Sequence, residues 1–186
     1  MKKQILIFAI LSMFTSAFAA EMTVSINAGD NWKAKHNPQF AVWLEDMNGN
    51  FIRTLTVTER ASRKNWIFGP KQGRPESLPI WYHASNHPKS NETEPQSDTE
   101  KADDVTSATP KSGIIIKAEI SDIPCRIRAE FNNSFDYNDT YTKKNSGVNG
   151  QPSVIYGADI PADYSSEIEL SFLGTGSLDG SDGIIH

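Results

Sequence analysis

The sequence predicts an all-β fold: an antiparallel β-sandwich of immunoglobulin-like type with long polar loops. Three observations predict it. Apolar side chains recur with period two in six or seven short runs, turn residues punctuate those runs, and no segment carries the apolar stripe of an amphipathic helix. Short antiparallel strands with regular turn punctuation are the pattern of a sandwich.

The first nineteen residues stand apart. Lys2 and Lys3 precede the apolar run Ile5 to Phe14, and Ala17-Phe18-Ala19 supplies a small-x-small cleavage pattern. This is the layout of a signal peptide, and the run is too short to span a bilayer, which takes about 20 residues. Residues 1–19 are therefore predicted to export the chain to the periplasm, and 20–186 to form one domain. Without Lys2 and Lys3 the formal charge moves from −5 to −7. Such acidity argues against nucleic acid as a partner and against anionic membrane surfaces, and no later segment is apolar enough to span a membrane, so no direct insertion is expected. Cys125 is the sole cysteine, so no intrachain disulfide forms and a hydrophobic core must hold the domain. Its alternating apolar surroundings predict a small buried side chain rather than a nucleophile.

Taken in order, Met22, Val24 and Ile26 form the first strand pattern. Phe40, Val42 and Leu44 form the second, and Phe51 to Val57 the third, with Asn48-Gly49 between them. Asn-Gly between alternating runs predicts a two-residue hairpin turn, because both residues accept positive φ. That register sets Val42 opposite Leu55 and Phe40 opposite Val57, with all four on one face. Residues 87–112 hold three Lys, six Asp or Glu and three Pro, and read as a long exposed loop, mobile in part. Ile114, Ile116, Ala118 and Ile120, then Cys125, Ile127, Ala129 and Phe131, predict a second hairpin across Pro124. Residues 132–153 are a second polar stretch. Val154 and Tyr156 follow Asn149-Gly150 as a short strand, and Ile168, Leu170 and Phe172 mark the last one.

Several constellations carry potential chemistry. His83 and His87 have the spacing of two helical metal ligands, but Asn86 and Pro88 argue against a helix there. Trp66 and Trp81, which with Tyr82 flank the first long loop, are expected to pack on the sandwich edge, with the two histidines at the surface. Asn132, Asn133, Asp136, Asn138 and Asp139, with Asp179 and Asp182, offer hard oxygen ligands suited to calcium. The spacing does not match an EF-hand, and such residues ordinarily cap turns, so no metal site is assigned. Phe135, Tyr137, Tyr141 and Tyr156 interleave with these amides and can line a sugar or flat-ligand site, or anchor loops. No nucleophile elbow, phosphate-cradling glycine loop or metalloprotease signature occurs, and no enzymatic activity is expected.

Residues 103–109 read Asp-x-x-Thr-Ser-Ala-Thr. The pattern resembles the acceptor motif of flavin-mononucleotide-binding subunits of membrane redox complexes, Asp-x-x-(Ser/Thr)-Gly-Ala-Thr. In those subunits an exported flavin transferase esterifies the last threonine with the flavin's phosphate. By position Asp103, Thr106, Ala108 and Thr109 match, with Ser107 in place of glycine and Pro110 in place of an aliphatic residue. The resemblance implies FMN on Thr109; an ordinary Ser/Thr turn accounts for the same residues.

Three blocks, NPQFAVWLEDMNGNFIRTLTV (37–57), DDVTSATPKSG (103–113) and AEFNNSFDYNDTY…NGQPSVIYGADI (129–160), resemble together the bacterial "predicted periplasmic protein" family, domain of unknown function 2271. The likeness covers most of the mature chain. It implies a small exported β protein taking part in flavin-linked extracytoplasmic electron transfer, as an accessory binding component beside a membrane redox protein or flavin transferase. It also implies a further tail beyond GTGSLDGSDGIIH, where this sequence ends. A flavinylated carrier and a structural or adhesion module are the competing expectations.

Overall fold

Two sheets stack into a mostly β structure in the computed structural model, which describes residues 20–29, 38–59, 61, 74–86, 106–107, 113–120, 123–164 and 166–186. The strands are β1 (Ala20–Ile26), β2 (Gln39–Glu45), β3 (Phe51–Thr58), β4 (Thr106–Ser107), β5 (Ile114–Ile120), β6 (Cys125–Asn132), β7 (Val154–Ile160) and β8 (Ser171–Thr175). Two short helices, α1 (Pro79–Asn86) and α2 (Lys143–Ser146), complete the described elements. The smaller sheet pairs β1 with β5, and the larger runs β4-β3-β2-β6-β7-β8. All pairings are antiparallel except the two-residue contact of β3 with β4. The all-β expectation holds at this level. The predicted signal peptide lies outside the described residues, as does the predicted loop 87–112 apart from Thr106 and Ser107.

Period-two alternation explains the core. Met22 and Val24 of β1, Phe40, Val42 and Leu44 of β2, and Cys125, Ile127 and Ala129 of β6 turn to the space between the sheets. Cys125 is fully buried there, as its register predicts. β2 sits in the middle of the larger sheet and is buried along its whole length. Its other side chains, Ala41 and Trp43, join Val57, Leu78, Ile80, Trp81 and Ile155 in a second core on the opposite face. The middle of the larger sheet is therefore covered on both sides, by strands on one and by α1 on the other.

The structure corrects four sequence expectations. The β2–β3 turn is a five-residue loop, with Glu45 paired to Phe51, because Asp46 reaches across it. Its carboxylate accepts from Asn48 N (2.8 Å), Asn50 N (2.9 Å) and Asn50 Nδ2 (2.7 Å), while Gly49 takes φ +87°. Register shifts at Val42/Trp43 and Leu44/Glu45 then set Val57 opposite Ala41 and Val42 opposite Thr56. A one-residue slip exchanges faces, so Val57 belongs to the second core, while Leu55 keeps to the first. The second predicted hairpin is a crossover between sheets: β5 pairs with β1, and β6 with β2 and β7. The strand predicted over 168–172 starts only at Ser171, and Ile168 and Leu170 pack on the core from outside any strand.

The fourth correction is α1. Its eight residues give two turns, too few for a periodic stripe to register. Pro79 fits the first helical position, where a missing N–H is harmless, and Ile80 and Trp81 bury against the sheet. Trp81 Nε1 donates to Thr54 Oγ1 at 2.9 Å, so this tryptophan is a core residue rather than an edge one.

Candidate functional site

Among the described residues the smaller sheet has two strands and faces one of six, which leaves part of the larger sheet's inner face open. A cleft of about 1460 Å³ occupies that position. One wall is β1 with Asn27, touched at every residue from 21 to 27; the other is the segment 166–170, again touched at every residue. Successive strand side chains point to opposite faces, so a wall met by consecutive residues is the edge of the strand. The floor comes from Ile127 and Phe131 of β6 and Val154, Tyr156 and Ile160 of β7.

A row of aromatic rings runs from strand to strand through Phe131 and Tyr156 of this floor, its two ends lying outside the cleft lining. Phe40 and Phe131 stack at 6.0 Å and 28°, Phe131 and Tyr156 meet edge to face at 6.2 Å and 75°, and Tyr156 and Phe172 at 5.7 Å and 69°. The row begins in the core at Phe40 and ends at Phe172, which is 57% exposed. Asn132, Asp136, Tyr141 and Gln151 form a polar part of the lining. Gln151 Nε2 donates to Asp136 Oδ2 at 2.8 Å, and Gln151 N donates to Asp136 O at 3.0 Å. Asn132 is 5% exposed, and neither atom of its side-chain amide makes a hydrogen bond. Glu21, Asp136, Glu167 and Glu169 supply the charge, and no Lys or Arg is among the described lining residues.

The opposite face holds the buried polar groups. Glu130, fully enclosed, accepts from Ile80 N (3.3 Å) and Trp81 N (2.8 Å) at the start of α1, and from Ser153 Oγ (2.6 Å). Its carboxylate thereby serves the helix amides that lack intrahelical partners. Burial pushes its pKa up from 4.5 to about 7, against the opposing pull of those three hydrogen bonds. Nearby, Glu45 accepts from Trp43 Nε1 at 2.9 Å and pairs with Arg128 at 3.1 Å. A smaller cleft of about 380 Å³ lies between Glu45, Arg128, His83 and residues 183–185. Sealed from solvent, Glu130 anchors α1 and is not placed to act on a ligand.

The sequence-predicted site residues separate. Thr106 belongs to β4, which with Ser107 pairs alongside Val57 and Thr58 at the edge of the larger sheet; Asp103, Ala108 and Thr109 lie outside the described residues. His83 sits on α1, within 3.0 Å of the Gly180 carbonyl, while His87 and Trp66 lie outside the described residues. Asn138 accepts from Thr140 N and Tyr141 N, and Asp179 from Ser181 N, the turn-capping role expected of them. Among the described residues no group of three or more His, Cys, Asp or Glu is placed to hold a metal ion. Of the four interleaved aromatics, Tyr141 and Tyr156 line the large cleft, whereas Phe135 and Tyr137 contact each other at 6.4 Å elsewhere.

The edge of β1 and the segment 166–170 escaped the sequence reading. The alternation of Glu167 and Glu169 with Ile168 and Leu170 was legible, but it marked a strand rather than a wall. Glu130 escaped it too, as one more polar residue in an alternating run. No family model matches the chain, and no curated protein or solved structure matches it either.

Proposed function

We propose that the chain is a non-enzymatic binding module, an immunoglobulin-like sandwich exported by residues 1–19, within a flavin-linked extracytoplasmic redox system. Membership of the "predicted periplasmic protein" family is part of this proposal. The observation that carries the binding role is the large cleft beside β1, with its aromatic floor and acidic rim. Concave apolar sites with a few convergent polar groups are where proteins take ligands. The redox setting rests on the sequence resemblance alone. The test is capture of periplasmic proteins on the mature chain and on Tyr156→Ala. A redox protein held by the first and lost by the second supports the reading; identical captures, or none, refute it.

A second reading makes the chain a flavin carrier with FMN on Thr109. What favours it is the position of Thr106 and Ser107 at a sheet edge, three and two residues before that threonine. Attachment requires a hydroxyl that a transferase can reach. Co-expression with a periplasmic flavin transferase, followed by intact mass and visible spectrum, tests it. A mass increase lost in Thr109→Ala supports the carrier, and an unshifted mass beside a modified control acceptor removes it.

A further inference from the structure

We propose that the cleft accepts one extended polypeptide segment of a partner, with alternating apolar side chains and basic flanks, which adds to the open edge of β1. This deepens the binding-module reading and rests on it. β1 pairs with β5 on one side only among the described residues, and its other edge forms the cleft wall from Glu21 to Ile26. Such an edge presents main-chain donors and acceptors ready for another strand. The opposite wall, 166–170, belongs to no sheet, so the cleft lies where a third strand of the smaller sheet would run.

Size and floor favour a peptide over a small ligand. The volume of about 1460 Å³ exceeds the roughly 300–1,000 Å³ of small-molecule pockets. The two floor rings, Phe131 and Tyr156, meet edge to face at 75°, which makes an uneven surface suited to separate side chains rather than a plate for a flat ring. Glu167 and Glu169, both exposed and with no base among the described lining residues, select lysine or arginine at the ends of the segment, whereas Glu21 is paired with Lys117 at 3.7 Å and Asp136 is bonded to Gln151.

The probe is a fluorescent synthetic peptide of seven alternating valines and threonines, matched to the seven residues of β1, between flanking lysines. Anisotropy with the mature chain should show saturable binding. Only alternate amides of an added strand face the acceptor edge, so N-methylation of one alternate set should abolish binding and methylation of the other should not. The double variant Glu167→Lys/Glu169→Lys, at two exposed positions, should weaken binding about tenfold at low salt and leave the melting temperature unchanged. Absence of saturation up to about 1 mM, a dissociation constant worth only about 4 kcal/mol, overturns the inference. So does equal binding of both methylated peptides, or a concentration-dependent dimer that the peptide does not dissolve. A redox partner still captured through Tyr156 when every peptide fails would remove the strand acceptor alone; loss of both removes the binding module as well.

Discussion

Replacing Glu130 by glutamine is expected to reverse the order of stability of the two proteins between acid and neutral pH. The carboxyl group is 0% exposed and its pKa is raised by burial from 4.5 to about 7. Below 4.5 both the folded and the unfolded chain hold the proton, and the group adds no pH dependence. Between 4.5 and 7 the unfolded chain releases it while the folded chain retains it, so the native state binds more protons and stability falls as pH rises. Above about 7 both states are ionised and the contribution is flat. That interval, at about 1.4 kcal/mol per pH unit, makes a loss of about 3 kcal/mol. The glutamine amide would keep one acceptor but turn an NH₂ toward the donors of Ile80, Trp81 and Ser153, at a cost of about 1–2 kcal/mol. Wild type should therefore be the more stable by about 1–2 kcal/mol at pH 4.5 and the less stable by a similar amount at about pH 7.5. Urea unfolding followed by circular dichroism at a series of pH values measures it, and carboxylates common to both proteins cancel in the difference. A difference constant to within about 0.5 kcal/mol over that range would refute the reasoning.

Two further substitutions probe the scaffold. Arg128→Met leaves Glu45, 8% exposed, without its guanidinium partner and should destabilise the fold by about 3 kcal/mol in urea unfolding; adding Glu45→Gln should recover much of that loss. Gly150→Ala drives a Cβ into the Asp136 carbonyl oxygen at φ +82°, and the loss of about 2 kcal/mol should appear as a lowered melting temperature.

Strand faces were legible wherever alternation was clean. Met22 and Val24, Phe40 to Leu44 and Cys125 to Ala129 could be assigned to a buried side from their spacing, since the pleat turns each side chain opposite to the last. Pairing was not legible in the same way. β5 and β6 are adjacent alternating runs and read as a hairpin, because nothing within 121–124 states that the chain changes sheets there. The slip of Val57 to the other core follows from register shifts that the local sequence does not mark. The candidate cleft was half legible. Tyr141, Tyr156, Asn132 and Asp136 stood out as recognition chemistry, but their wall did not, since an open strand edge is a property of what fails to pair with it.

By itself, then, the sequence determined the strand class, the two-faced character of the runs and the acidic, single-cysteine composition, because each of these follows from a residue and its near neighbours. Only the tertiary structure decided the rest. Glu130 is an outward polar residue by alternation until α1, about fifty positions earlier in the chain, closes over it and makes its carboxylate the helix's partner. The cleft likewise exists because, among the described residues, two strands face six. Both depend on contacts between segments remote in sequence, and no local period encodes those.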